Sequence, residues 1–176
     1  MRSILLLTVV LTGACASSGA TPEATALPQR TQSVAGLRIR GSTSAKEYAV
    51  TGTVDQVWRA LPAVYDSLGI QLSDVDATQH VLGNSGMKAY KKLANVSLSK
   101  YIDCGRAQGF PSADTYQLTM AVRTQAYVNE QGIASVSTLV EASGRPMAFS
   151  GEIVTCSSTG NIEKEIADRT TKMLSP

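Results

Sequence analysis

The chain has 176 residues, of which 43% are hydrophobic and 5% aromatic, and its formal net charge is only +2 at pH 7. A charge this small gives no strong attraction to phosphate, so the composition speaks against a nucleic-acid-binding protein. With a single histidine and no CxxC pattern, the sequence predicts neither a metal site nor a cofactor.

The N-terminus has the features of an export signal. Arg2 supplies a positive charge, and the apolar run over residues 4–11 is too short to span a hydrocarbon core. The small pair Gly13-Ala14 directly before Cys15 resembles the lipobox of bacterial lipoproteins. This resemblance implies that residues 1–14 are a signal peptide, and that Cys15 is diacylated and becomes the new N-terminus. Two acyl chains give a stable membrane anchor.

The residues around Cys15 leave one alternative, an ordinary secretory signal that is cut at a small residue such as Ala14 or Ala16. The same residues also bear on location. In lipoproteins of two-membrane bacteria, Asp after the acylated cysteine favours the inner membrane, whereas Ala16 and Ser17 stand here. The resemblance therefore implies export to the periplasmic face of the outer membrane.

Residues 15–44 are rich in Ala, Ser, Thr, Gly and Pro and contain few large apolar side chains. Such a segment cannot bury enough surface to offset the entropy of ordering, so we predict a flexible tether. Its root-mean-square reach is roughly 30 Å. The remaining residues, 45–176, are about the right number for a single domain with one core.

The first elements of this domain are a short strand over 46–52 and a well-marked helix. Thr53 and Gln56 form a capping box before the helix, and Gly69 provides its stop. The helix is predicted from an apolar stripe with helical spacing, which belongs in the core and consists of Val54, Val57, Trp58, Leu61, Val64, Tyr65 and Leu68.

The middle of the chain is less regular. A strand with Ile70, Leu72 and Val75 is predicted to turn at 76–79 and return over His80–Gly83. In residues 85–113, one or two helical turns are predicted from the spacing of Met87, Tyr90 and Leu93.

The last part of the chain has the strongest strand pattern. Apolar and polar residues alternate over 115–123 and again over 134–140, with a turn at 129–132, which predicts a long hairpin. A third strand is predicted over Met147–Cys156. A terminal helix is predicted to start at 157–159 and to share one face among Ile162, Ile166, Arg169, Thr170 and Met173.

This order of elements predicts an α+β domain. Strands joined by short turns must be antiparallel, so we expect a curved antiparallel sheet, an N-terminal β-α-β-β unit and a long C-terminal helix packed across the sheet. The run 51–61, followed by Leu68-Gly69-Ile70 and a hairpin, resembles the helix-grip domains of a lipoprotein component of the barrel-assembly machine. The segments Asp103-Cys104-Gly105 and 156–160 resemble those of an uncharacterised group of bacterial lipoproteins.

The cysteines Cys104 and Cys156 are the only pair left if Cys15 is acylated. An exported chain meets oxidising conditions, so a disulfide between them is expected, with two buried free thiols as the alternative. Such a bridge would hold Arg106 near the start of the terminal helix. Arg106 and the N-terminus of that helix together are a candidate anion pocket. The alternative is that Asp103 neutralises Arg106 or caps that helix.

Lys88, Lys91 and Lys92, interleaved with Tyr90, form the one basic cluster in the sequence. Contact with lipid headgroups or with an acidic partner is one interpretation, and a solvated helical face is the other.

Residues 156–160 lie at a predicted strand-to-helix junction, where a nucleophile elbow would place its attacking group. However, the first glycine of that motif is replaced by Cys156, and His80 is the sole imidazole that could act as base. We therefore expect no enzyme, and we expect Ser158 or Thr159 to cap the helix.

Taken together, the sequence predicts a non-enzymatic lipoprotein, anchored to the outer membrane by its lipid, that acts as an interaction module in cell-envelope assembly or maintenance. An envelope protein is the expected partner, and nothing in the sequence predicts the oligomeric state. The alternative is a binder of a small apolar or lipid ligand in a helix-grip cavity between the terminal helix and the sheet.

Overall fold

A computed structural model describes residues 44–147 and 151–175. The predicted signal peptide, Cys15 and the tether up to residue 43 lie outside the described residues. Short 3-10 turns cover Leu98–Lys100 and Ser112–Asp114. The strands and helices are β1 (Lys46–Ala49), α1 (Val54–Ser67), β2 (Asp74–Asp76), β3 (Val81–Tyr90), β4 (Lys92–Leu93), β5 (Val96–Ser97), β6 (Ile102–Asp103), β7 (Arg106–Ala107), β8 (Phe110–Pro111), β9 (Tyr116–Val128), β10 (Ala134–Pro146), β11 (Val154–Ser158) and α2 (Asn161–Leu174).

The strands form an open sheet in the order β5-β4-β3-β9-β10-β11-β6. Every strand pairing among the described residues is antiparallel. β1 also pairs with β10, on the same edge as β11, and β2 pairs with β3, whereas β7 and β8 make a separate small hairpin. The predicted α+β class, the antiparallel sheet and the long C-terminal helix are therefore confirmed.

Helix α1 forms as the sequence predicts. Thr53 accepts a hydrogen bond from the Gln56 N–H, and the Gln56 side chain accepts one from the Thr53 N–H, which completes the capping box. The stripe faces the core, and its fully buried members are Val57, Leu61, Val64, Tyr65 and Leu68. Trp58 departs from the prediction, because it is only partly buried and its ring lies 5.4 Å from that of His80.

A chain of buried hydroxyls fastens α1 to the two longest strands. The Tyr65 hydroxyl lies 2.8 Å from Thr124 Oγ1, which in turn lies 2.8 Å from Thr138 Oγ1. All three groups are buried, so the hydrogen bonds offset the cost of removing the hydroxyls from water. Burial raises the pKa of Tyr65, which keeps the phenol neutral.

Helix α2 packs against α1 on the same face of the sheet, and we call the opposite face the outer face. The predicted start of α2 is wrong, since Ser157 and Ser158 remain in β11 and Gly160 occupies the N-cap. The prediction of which residues share one face of α2 is also wrong in part. Arg169 instead bonds to the carbonyl of Ser67 and to Glu165, and Met173 is exposed. The side chains of α2 that are buried are Ile162, Glu163, Ile166, Ala167 and Thr170.

The helical turns predicted around Met87 and Tyr90 are also wrong, because β3 continues through Tyr90. A bulge between Asn84 and Met87 shifts the register of β3 on β9. Before the bulge the even-numbered residues of β3 point to the core, and after it the odd-numbered residues do. The sequence of β3 therefore lacks the regular alternation of a strand.

Further strands differ from their predicted bounds, among them β1, which ends at Ala49 rather than at residue 52. Only Asp74–Asp76 pairs in the region of Ile70 and Leu72, and Val75 is exposed, although Ile70 is buried in the core. The third strand of the C-terminal half begins at Val154 rather than Met147, and extends to Ser158.

Candidate functional site

The predicted basic cluster lies at one end of the outer face. Cross-strand pairing aligns Lys88 with Thr119 and Ser143, and aligns Tyr90 with Gln117 and Arg145. Lys88, Tyr90 and Arg145 thus point away from the helices, since their neighbours along the strands face the core. We define the basic end by the exposed residues at this place, which are Lys88, Tyr90, Lys91, Lys92, Arg145, Met147 and Ile153.

Lys88 and Arg145 border one concavity on the outer face, which has a volume of about 230 Å³. Lys88 and Thr119 both line it, and the Lys88 ammonium lies 3.4 Å from Thr119 Oγ1. A second concavity of about 250 Å³ adjoins the first through Thr119 and Ser143, and is bordered by Glu141 and Thr155. The first concavity is lined by Lys88, Gln117, Thr119, Ser143, Gly144, Arg145 and Ile153.

Lys91 and Lys92 belong to the same end, because the chain reverses immediately after Tyr90. Lys91 has a φ of 60° and makes the turn, and Lys92 pairs with Tyr90 in β4. The Lys91 ammonium lies 5.1 Å from the centre of the Tyr90 ring, a cation–π arrangement. The interpretation of this cluster as a solvated helical face is therefore wrong, although all three lysines are exposed to solvent.

Apolar side chains are interleaved with these cations. Tyr90 is 46% exposed, Met147 58% and Ile153 59%. The pairing of Gly144 with Val154 places Ile153 beside Arg145. Exposed apolar groups that cluster with cations are typical of a surface that contacts an amphipathic partner.

The cations of the basic end have no carboxylate partner among residues 44–147 and 151–175, where the ion pairs join other side chains. Glu152 is exposed next to Ile153, and is the one carboxylate adjoining the surface in sequence. Asp114, near the start of β9, is engaged by Ser97 and Ser99 at 2.6 and 2.7 Å. Burial alone would raise the pKa of Asp114, but these hydrogen bonds outweigh it and lower the pKa.

The predicted disulfide is present. Cys104 and Cys156 are joined with a Cα–Cα distance of 4.3 Å. The bridge lies beside the pairing of β6 with β11, in which Ser157 faces Asp103. Thr159 continues the attachment by donating its hydroxyl to the carbonyl of Lys100 at 2.7 Å. The irregular segment before β9 is therefore fixed covalently to β11, and hydrogen bonds from Thr159 and Asn161 to Lys100 fix it to the start of α2.

Arg106 and Asp103 have partners that the sequence did not predict. The Arg106 guanidinium donates to the carbonyl of Gly109 at 3.0 Å, which closes the β7–β8 hairpin. Asp103 accepts from the N–H of Gly105 at 2.8 Å, so it caps this turn rather than α2. Phe110 is strongly exposed in the same hairpin. Contact of Arg106 with an anion stays a prediction.

Residues 156–160, where a nucleophile elbow would lie, make structural contacts. Ser158 donates its hydroxyl to Glu163 at 2.6 Å and accepts the N–H of Gly160 at 3.1 Å. His80 lies before β3, where its carbonyl accepts the N–H of Ala126 and its ring contacts Trp58. Gly160 occupies the N-cap position in place of Ser158 or Thr159, but Thr159 still caps the helix from one residue earlier, because its Oγ1 accepts the N–H of Asn161 at 3.3 Å.

A polar network around α2 was missed in the sequence. Tyr101 donates to Glu165 at 2.7 Å, and Arg169 pairs with the same carboxylate. Burial, together with the bond and charge of Glu165, raises the pKa of Tyr101 to about 12. Burial would raise the pKa of Glu165, but the bonds from Tyr101 and Arg169 and the nearby cations lower it. The partners are 64 residues apart, so no local pattern indicates them.

Arg145 was missed as well, although the sequence holds a usable signal. The sequence alternation of Ala134, Val136, Thr138 and Val140 continues at Ala142 and Gly144, and the structure has both of these buried and Arg145 exposed. Extending that alternation places Arg145 on the outer face. Its closeness to Lys88 could not be predicted without the bounds of β3.

No protein-family model matches the chain, and no curated protein matches it either. The helices of the described ranges are each too short or too polar to cross a membrane. In the same ranges, no group of three or more His, Cys, Asp or Glu side chains is arranged to hold a metal ion.

Proposed function

We propose that this protein is an exported lipoprotein, anchored through acylated Cys15 at the periplasmic face of the outer membrane. In this proposal its domain acts without catalysis, as an interaction module in cell-envelope assembly or maintenance. The domain presents a surface to a partner in the envelope, and the tether over residues 15–44 gives it limited freedom above the membrane.

The observation that carries this proposal is the Cys104–Cys156 bridge. Disulfides persist in oxidising compartments and are rare in the reducing cytosol, so the bridge supports export. The leader and the small pair before Cys15 supply the independent argument for a lipid anchor. A cytosolic protein would explain neither feature.

The arrangement of the domain supports a surface interaction. Both helices cover one face of the sheet, which is the arrangement implied by the resemblance to helix-grip domains, and we include a curved, helix-gripping sheet in the proposal. The outer face has no helix of the described residues on it, and it carries the basic end. An interaction module needs such an accessible and chemically distinct surface.

The alternative, a small apolar or lipid ligand held between the helices and the sheet, has less support. The space between them is occupied by fully buried side chains such as Leu61, Leu118 and Ile166. The two concavities described above lie on the outer face of the sheet, outside the space between the helices and the sheet. A ligand of several hundred Å³ in the helix-grip position would have to displace core side chains.

The substitution Cys15→Ser tests the anchor. In cells fed radioactive palmitate, the wild-type chain should be labelled and recovered with the membranes, and Cys15→Ser should lose all of the label, because serine offers no thiol for acylation. The matched control Ser18→Ala leaves the lipobox intact and should keep the label. An unlabelled wild-type chain, or a Cys15→Ser chain that is labelled as strongly as wild type, would refute the proposal.

A further inference from the structure

We propose that the basic end is a membrane-docking surface, which lays the outer face of the sheet against the anionic headgroups of the membrane that carries the anchor. This inference rests on the proposed function, since acylation of Cys15 is what brings a membrane within reach. It adds a second contact, made by the folded domain itself.

The charge of the surface supports an anionic partner. Lys88 and Arg145 border one concavity, and Lys91 and Lys92 follow at the turn after β3. None of the four pairs with a carboxylate within the described parts of the chain. Juxtamembrane Lys and Arg residues are attracted to anionic lipid, and each strengthens binding by about fivefold close to the surface.

The apolar side chains favour a lipid surface over an acidic protein. Tyr90, Met147 and Ile153 come from three separate parts of the chain and are exposed at the same end as the cations. A tyrosine has an apolar ring and a polar hydroxyl, which suits the level of the headgroups, and aliphatic side chains insert slightly deeper. Cations around such groups are the composition of an interfacial membrane contact.

The path of the chain fits the same orientation. β1 pairs Lys46 with Thr138 and Ala49 with Ser135, so it runs away from the basic end. The chain therefore enters the domain at Ser44 from the side on which the basic end lies. Residues 16–43 separate Cys15 from this point, and a flexible segment of that length reaches roughly 30 Å. Docking of the basic end is thus compatible with an acylated Cys15 in the same bilayer.

The test uses the mature chain, residues 15–176, with Cys15→Ser, so that no acyl chain contributes and every described residue is retained. Binding is measured by co-sedimentation with vesicles of phosphatidylglycerol and phosphatidylcholine, and with vesicles of phosphatidylcholine alone. We expect binding to the anionic vesicles only, and weaker binding at high salt, because salt screens the attraction.

Two pairs of variants separate this surface from general electrostatics. Lys88→Gln/Arg145→Gln should weaken binding by about twenty-fivefold, at about fivefold for each cation. Arg59→Gln/Lys172→Gln removes the same charge from exposed positions on the helices and should change binding less than twofold. Ile153→Ser should weaken binding by about threefold, whereas Val75→Ser, at a site that is 62% exposed away from the basic end, should not.

Each other outcome overturns the inference. Absence of binding to the anionic vesicles removes it, and so does an equal loss in both double variants, which would indicate a diffuse attraction. Binding to polyglutamate but not to vesicles, with the same loss in Lys88→Gln/Arg145→Gln, would assign the surface to an acidic protein instead. Because this chain carries no acyl group, such a failure would leave the palmitate result on Cys15 standing.

Discussion

Reduction of the Cys104–Cys156 disulfide is expected to lower the free energy of unfolding by about 4 kcal/mol. The two cysteines are 52 residues apart, so the bridge closes a long loop and greatly restricts the unfolded chain. The loop closed by the disulfide contains the long strand β9, which lies at the centre of the sheet, so the bridge constrains a central part of the fold.

The measurement is urea unfolding of the oxidised protein, of the reduced protein and of Cys104→Ala/Cys156→Ala. The reduced protein and the double variant should agree with each other, because both lack the same constraint. Labelling of denatured but unreduced wild type should find both thiols blocked. Free thiols, or a loss of less than about 1 kcal/mol on reduction, would contradict the structure at this site.

The second large effect is expected at the centre of α1. Leu61→Ala should lower the free energy of unfolding by about 2–5 kcal/mol, because Leu61 is fully buried and its removal leaves a cavity between the helix and the sheet. Trp58→Ala should cost less than a core tryptophan would, since part of its ring is already in solvent.

The control for this prediction is Met173→Ala on α2, at a side chain that is 47% exposed. It should change the free energy of unfolding by less than about 1 kcal/mol in the same urea titration. A loss at Leu61 as small as that at Met173 would mean that α1 does not pack on the sheet as described.

The parts of the fold that could be predicted depend on local signals. The α1 stripe, its Thr53–Gln56 capping box and the hairpin of β9 and β10 are encoded by residues a few positions apart. In each case a period of 3.6 or 2 residues persists over enough residues to identify the element.

Only part of the basic end could be predicted from the sequence, because β3 lacks the regular alternation of apolar and polar residues that identifies a strand. The bulge between Asn84 and Met87 changes which side chains of β3 point to the core, and Gly83 lies so close to β9 that an added Cβ would clash with the Val122 carbonyl oxygen. The next turns use positive φ at Lys91 and Ala94, whose residue types do not mark such turns, and at Asn95, whose residue type is enriched there. The three lysines were therefore recognised as a cluster, but were assigned to a helix.

The start of α2 illustrates a different difficulty. Ser157, Ser158 and Thr159 are good capping residues, and taken locally they predict a helix N-terminus. The pairing of Ser157 and Ser158 with β6 keeps them extended instead. β6 has only two residues, and the disulfide next to it holds it beside β11. Whether Ser157 and Ser158 join the strand or the helix therefore depends on contacts between residues far apart in the chain.

Acylation of Cys15 is the claim on which the location, the redox environment and the docking surface all depend. The most direct test is the intact mass of the protein extracted from the envelope of cells that produce it from its own leader. The account predicts a chain that begins at Cys15 and carries the added mass of a diacylglyceryl group. A mass equal to that of an unmodified chain, with or without residues 1–14, would contradict it.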